Sequence, residues 1–334
     1  MRCPPADLSV GALIDFLDAW SVRAENVTFL PEGDGAHHWI VHDRKGRRWV
    51  ATVDDLGVKP WLGSDGDTTF AGLLAAYRTA ALLRHHAGLS FVVAPEPTAT
   101  GEVAVRLGPQ YALSLCAYVD GVPGRWGEAW PDATLCSVGA LLAEIHSVTA
   151  PGDVAAPPPF VLHDRHVLEA ALADVHRPWG TGPFSEDVRR ALERHRARVT
   201  DWLDTMDRSV PGVERSRPVL THGEPHPGNF IRPGEGLALV DWDTVALGHP
   251  ERDLWMLDNG SGSAWATYEA LSGRTVDRAV VRLYRLAWVL NDLASYLKLV
   301  RGPHDGGADA RHAATTVQQL LTEDEPSPYG PTNS

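Results

Sequence analysis

The stretch LTHGEPHPGNF (220–230), followed after a short gap by LVDWDTV (239–245), decides how this chain is read. The first packs His222, Glu224, His226 and Asn229 into one polar loop, and the second ends the apolar run LALV on Asp241. Phosphoryl transfer needs a carboxylate to orient the attacking hydroxyl, oxygen ligands for Mg2+, and a scaffold that holds both in line with a nucleotide. Glu224 precedes the amide of Asn229 by five residues, and Asp241 offers a second carboxylate at a strand end. Asn and Asp are hard oxygen donors of the kind Mg2+ takes. The order loop, strand, turn, strand predicts that the ends of the two segments meet.

Competing readings of these residues fail. His222 and His226 are four apart, as in zinc proteases, but Gly223, Pro225 and Pro227 prevent the helix that would align them. GSGSA (260–264) lacks the preceding strand of a nucleophile elbow. The pairs His37–His38 and His85–His86 are adjacent in sequence and project in different directions, which argues against shared metal binding.

Outward from this centre the chain has two textures. Before it, strand-like runs at 25–30, 37–43, 47–55, 90–95, 102–107 and 111–119 surround an Ala/Leu-rich helix at 69–87. The turn DRKG (43–46) makes a hairpin of two of them, and an amphipathic helix over 7–20 opens the chain. From 131 onward helices are predicted at 131–148, 163–175, 185–207, 263–272 and 277–301, with short strands between 218 and 242. The fold class is α+β, with a mainly antiparallel sheet lobe over 1–119, a helical lobe over 120–310, and a short helix and flexible tail over 311–334.

With 334 residues, 44% of them apolar, the chain can bury a sizeable core in two lobes. A formal charge of −13 disfavours nucleic acid and suits a cationic small substrate. Apolar stretches fall short of the roughly 20 residues of a membrane span. Asp7, Asp15 and Asp18 stand where a signal peptide needs an apolar core, so a cytoplasmic location is expected. Cys3, Cys116 and Cys136 are odd in number and widely spaced, unlike a disulfide framework or a zinc site.

THGEPHPGNF…LVDWDTVALGHPERDLW resembles the signature of aminoglycoside phosphotransferases, within the wider kinase-like group that includes choline kinases. TVDDL, YVDG and AWVLNDLASYLKL are similar to the spectinomycin-phosphotransferase-like branch of actinomycetes. The resemblance implies a protein kinase-like bilobal fold, ATP or GTP as phosphate donor, and Mg2+. It implies Glu224 as catalytic base, Asn229 and Asp241 as metal ligands, His222 as a brace and Asp253 as a structural anchor. The backbone around Cys116–Tyr118 would receive the nucleobase. Asp243 would face substrate or order the metal shell, and with Glu251 and Asp292 it would meet the ammonium groups of a small cationic acceptor.

Two departures stand out. The family has aspartate where this chain has Glu224. The extra methylene moves the carboxylate by about 1.5 Å, and a misplacement of about 1 Å can cost about a hundredfold in rate. Kinase-like folds also place a phosphate-binding lysine on the third strand, paired with a helix glutamate. Here Thr52 holds that strand position, and residues 69–89 contain no acidic side chain. Lys45 lies at a hairpin tip and Lys298 near the far end of a helix, which leaves Lys59 and Arg78 to take over part of the phosphate contact. The loop PEGDGAHH (31–38) would cover the phosphates with backbone N–H groups. The alternative is a kinase-fold protein without ordinary kinase chemistry, either a pseudokinase-like metabolite binder or a transferase with a non-ATP donor. A protein-binding module finds little support, because the chain has no exposed repeat or charged docking tail.

Overall fold

Alternation along three strands builds the first lobe. The computed structural model describes residues 1–322 apart from Asp34, 214–216 and Glu235. Helix α1 (Val10–Phe16) leads into β1 (Ala24–Leu30), β2 (Ala36–Asp43) and β3 (Arg48–Asp55), then α2 (Gly66–His85), β4 (Val105–Leu107) and β5 (Tyr111–Ala117). The five strands form one sheet in the order β1-β2-β3-β5-β4, antiparallel throughout. Trp39, Val41, Ala51 and Val53 point to one face and pack on Leu13 of α1 and on Leu17 just after it. Their neighbours in the period-two pattern, His38, Thr52 and Asp54 among them, point to the other face, toward α2 and the cleft.

Helix α2 starts at Gly66, earlier than the Ala/Leu pattern suggests. Asp65 caps it and shares a reciprocal capping box with Thr68, a start signal that outranks hydrophobic periodicity. The apolar run 90–95 does not join the sheet. Phe91 and Val93 instead bond the backbone of Leu239, so the segment ties the two lobes together.

The second lobe runs from β6 (Val122–Pro123) through α3 (Asp132–Ser147), α4 (Arg165–Asp174), α5 (Ser185–Arg194) and α6 (Arg196–Ser209). The helix expected over 185–207 breaks at His195 into these last two. Short strands β7 (Val219–Thr221), β8 (Phe230–Arg232), β9 (Ala238–Leu239) and β10 (Ala246–Gly248) carry the polar loop. They pair as β10-β7 and β6-β8-β9. Helices α7 (Glu251–Leu254), α8 (Ser263–Ser272), α9 (Arg278–Arg301) and α10 (Ala308–Thr322) complete the lobe.

Ala313, Val317 and Leu321 of α10 are buried in the large core with Leu290, Leu293 and Leu297 of α9. The last helix therefore belongs to the helical body, and the tail expected after it lies outside the described residues. Ala80 and Leu83 of α2 enter the same core, so that helix supports both lobes. Among the described residues no helix is long and apolar enough to cross a membrane.

Candidate active site

The polar loop is held by one buried carboxylate. Asp253, inside α7 and without solvent exposure, accepts hydrogen bonds from the N–H groups of His222 (2.8 Å) and Gly223 (2.6 Å). It also lies 3.1 Å from His146 Nε2, and His146 Nδ1 meets the Tyr268 hydroxyl at 2.9 Å. Burial pushes the Asp253 carboxyl up, but hydrogen bonding to His146 and the nearby Arg252 guanidinium hold it below the usual range. It does not cap its own helix; it pins the start of the loop.

His222 carries the restraint onward. Its Nε2–H donates to Val240 O (2.9 Å), and its Nδ1 accepts from Glu224 N–H (3.2 Å). These partners assign a neutral ring, consistent with a pKa lowered by complete burial. Gly223 sits at φ +104°, and a Cβ there would lie 2.5 Å from the Arg252 guanidinium. Arg252 in turn donates to Thr221 Oγ1 (2.7 Å) and Thr244 O (2.8 Å), joining the two segments on either side of the loop.

Glu224, Asn229 and Asp241 come together on this frame. Asn229 Nδ2 donates to Glu224 O (2.9 Å), and Asn229 O accepts from Val240 N–H (2.9 Å), one residue before Asp241. Asp241 adopts φ +66°, a left-handed conformation rare for a residue with a side chain and the kind of strain found at functional sites. Glu224 is partly buried, and its carboxyl is pushed up to about 7, first by burial and then by the Asp243 charge. Asp241 stays open to solvent, yet the crowded surround and Asp243 raise its carboxyl well above the ordinary range.

Among the described residues no group of three or more His, Cys, Asp or Glu side chains is arranged to hold a metal alone. The donor set fits Mg2+ differently. One amide oxygen and one carboxylate on adjoining segments match an ion that takes few protein ligands and brings water and phosphate oxygens for the rest.

The cationic side of the cleft is rebuilt. After β3, Asp55 accepts from Gly57 N–H (2.9 Å) and starts a short 3-10 turn over Leu56–Val58, which delivers Lys59 inward. Lys59 is 2% exposed and ion-paired with Asp54 (3.0 Å) and with Asp243. Burial disfavours its charge, but Asp243, Asp54 and Asp241 overcome that and raise its pKa further. Tyr77 of α2 donates to Asp54 at 2.8 Å, so the helix that lacks a glutamate contributes a hydroxyl. Thr52 faces the same region and contacts His38 Nδ1 at 3.1 Å.

Several expected positions are placed otherwise. Arg78 pairs with Glu102 at 2.7 Å on the surface, both about half exposed, and does not join the buried cluster. Asp243 is buried and turned to Lys59, not to an acceptor. Glu251 is also buried and accepts from Asp277 N–H (3.0 Å) ahead of α9, which makes it a strut between helices.

In the hinge segment, Cys116 lies opposite Val50 and Tyr118 N–H donates to Arg48 O (3.1 Å). Backbone groups of alternate residues point to opposite sides of a strand, so Ala117, between them, faces the open edge. Burial also pushes the Cys116 thiol up to about 12. Asp292 remains partly exposed, one turn beyond Trp288 on the same face of α9.

Sequence reading missed an aromatic wall beside Glu224. The Trp288 ring lies beside Glu224, where it works against the rise of the carboxyl; it stacks on Trp126 (centroids 4.8 Å, 18° between planes) and meets Trp255 at 5.5 Å. Trp126 is 43% exposed and also touches the His226 ring. The tryptophans come from distant segments, and no local spacing announces them. Asp54 was more accessible, because it shares a strand face with Thr52.

Comparison with known proteins bears on the family and the fold. Residues 26–259 match the model of the phosphotransferase enzyme family. Protein StrN of Streptomyces griseus is 26% identical over 316 residues, covering 90% of this chain and 87% of that protein. The structure of a spectinomycin phosphotransferase in complex with ADP and spectinomycin aligns at TM-score 0.74 and 15% identity, over 97% of both chains. An amicoumacin kinase aligns at TM-score 0.61 and 12% identity, over 96% of both. The family match spans well over half of the chain, and the bilobal arrangement is shared. The chain belongs to the phosphotransferase enzyme family, whose kinase-like fold it adopts.

Proposed function

We propose that this chain moves the terminal phosphoryl group of ATP or GTP, with Mg2+, to a hydroxyl of a small cationic molecule of the aminocyclitol or aminoglycoside kind. The observation that carries the reading is the gathering of Glu224 and Asn229, on a loop pinned by Asp253 and His222, with Asp241 on the adjoining segment. Asn229 and Asp241 would hold Mg2+, which when bound neutralises charge on the phosphates.

Glu224 orients the acceptor hydroxyl and takes its proton. A carboxyl raised to about 7 is a stronger base than an ordinary glutamate and is still largely ionised just above neutrality. The longer side chain brings the carboxyl beside the Trp288 indole, which favours its charged form. Lys59 balances the carboxylates of the cleft, and Ala117 presents backbone groups to the nucleobase. On the acceptor side, Trp126 and Trp288 offer a flat apolar wall and Asp292 a nearby negative charge, a combination suited to a ring bearing an amine. Similar proteins whose structures hold ADP with spectinomycin, or AMP-PNP with hygromycin B, support that substrate class.

The test is incubation with ATP or GTP, Mg2+ and a panel of aminocyclitols and aminoglycosides, read by mass for the gain of one phosphoryl group. Absence of transfer from either nucleotide to the whole panel would overturn the reading. One observation favours a second reading, a kinase-fold binder without transfer: Lys59 is closed off between two carboxylates. Nucleotide or metabolite binding without transfer would establish it.

A further inference from the structure

The sheet lobe needs something to meet phosphate, and Lys59 is poorly placed to do so alone. At 2% exposure its charge is already matched by Asp54 and Asp243. Beside it lies a group with no role so far. His38 on β2 is directly opposite Thr52 on β3, and its Nδ1 is 3.1 Å from the Thr52 hydroxyl. Its other nitrogen, Nε2, takes no hydrogen bond among the described residues and abuts the glycine loop. A Cβ added at Gly33 would lie 2.7 Å from Nε2, and one at Gly35 would lie 3.7 Å from Lys59 Nζ. Both glycines have positive φ, +86° and +77°, so the backbone can press close to these side chains.

We propose that His38, oriented by Thr52 and backed by Lys59, is the side-chain donor that the sheet lobe presents to the nucleotide phosphates. The inference rests on the nucleotide-dependent reading above. With the Thr52 hydroxyl donating to Nδ1, the ring proton sits on Nε2, and an anionic oxygen selects that tautomer over the one presenting a lone pair. Burial, the chain's amino terminus and Lys59 lower the His38 pKa to about 4, so the ring is neutral near pH 7. A neutral donor suits this place. It adds no uncompensated charge to the cleft, whereas a second buried cation would need a further carboxylate. The position opposite the usual strand lysine thus supplies an N–H without an ammonium.

The test is equilibrium binding of Mg-ATP, Mg-GTP, adenosine and guanosine to the full chain and to three variants. His38→Ala should weaken the triphosphate that the parent binds by about ten- to a hundredfold, the effect of one hydrogen bond to a charged group. Its nucleoside affinity should not change. His38→Gln, which keeps a side-chain N–H of similar reach, should recover most of the loss. Thr52→Val leaves the ring in place, should weaken the triphosphate severalfold, and gives an independent reading if His38→Ala does not fold in a thermal melt. Unchanged triphosphate affinity in His38→Ala or Thr52→Val, or equal losses for triphosphate and nucleoside, would overturn the proposal while leaving the nucleotide reading intact. A parent chain that binds neither triphosphate would overturn both.

Discussion

Two regions face each other across the cleft, and they are built on different terms. On the helical side the loop at 222–229 is fixed by a chain of short hydrogen bonds from Asp253 through His222 to Val240. On the sheet side the cation arrives from outside the strand, with Asp54 and Tyr77 as its supports. The contrast follows from what each side must do. A base must stand within hydrogen-bond reach of one proton, and errors of about 1 Å are costly. Charge balance falls off only as the inverse of distance, so a lysine can serve from several places.

The largest effect expected is on the helical side. Glu224→Gln keeps shape and hydrogen bonding but removes the base, and should lower kcat by about 10²–10⁴ with little change in nucleotide binding. A variant within threefold of the parent would remove Glu224 from the chemistry. Asp253→Ala leaves two buried N–H groups and His146 without their acceptor, and should cost about 3–5 kcal/mol in denaturant unfolding. Unchanged stability would mean that the loop is pinned elsewhere and the contrast is wrong.

On the sheet side, Lys59→Met should cost about 3 kcal/mol, because Asp54 and Asp243 are left buried without their cation. Adding Asp243→Asn should restore part of that loss; a double variant no more stable than the single would argue against a charge-balance role.

A pH series sharpens the picture for the ligand-free protein. Glu224 binds its proton more tightly folded than unfolded, with its carboxyl raised from about 4.5 to about 7. Its contribution is therefore fully present below about 4.5 and lost as pH rises through about 7. The difference in unfolding free energy between parent and Glu224→Gln should shift in that direction across that window, and a flat difference would contradict it. The smallest effect is at the surface. Arg78→Ala breaks an exposed pair, and should change stability by less than about 0.5 kcal/mol. It should also leave nucleotide affinity unchanged, and a loss there would return Arg78 to the phosphate site.

How much was legible beforehand differs between the regions for the same reason. The elements of the helical-side loop lie within 35 residues, and their types and spacing constrain one another. The two-lobe order was equally readable, because periods of two and of 3.6 differ plainly along the chain. Errors fell where tertiary contacts outvoted local pattern. Residues 90–95 have strand composition but bond across to Leu239, and Glu251 has a carboxylate's promise but accepts from the Asp277 N–H ahead of α9.

By itself, then, the order of residues determined the fold class, the polar loop and the absence of a lysine at position 52, since each is a matter of local pattern. Only the folded chain decided what stands around that absence. Lys59 meets Asp243 across 184 positions of sequence, and Trp126 stacks on Trp288 from another segment altogether. Such pairings depend on how helices and sheet pack in three dimensions, and packing distance has no counterpart in sequence distance.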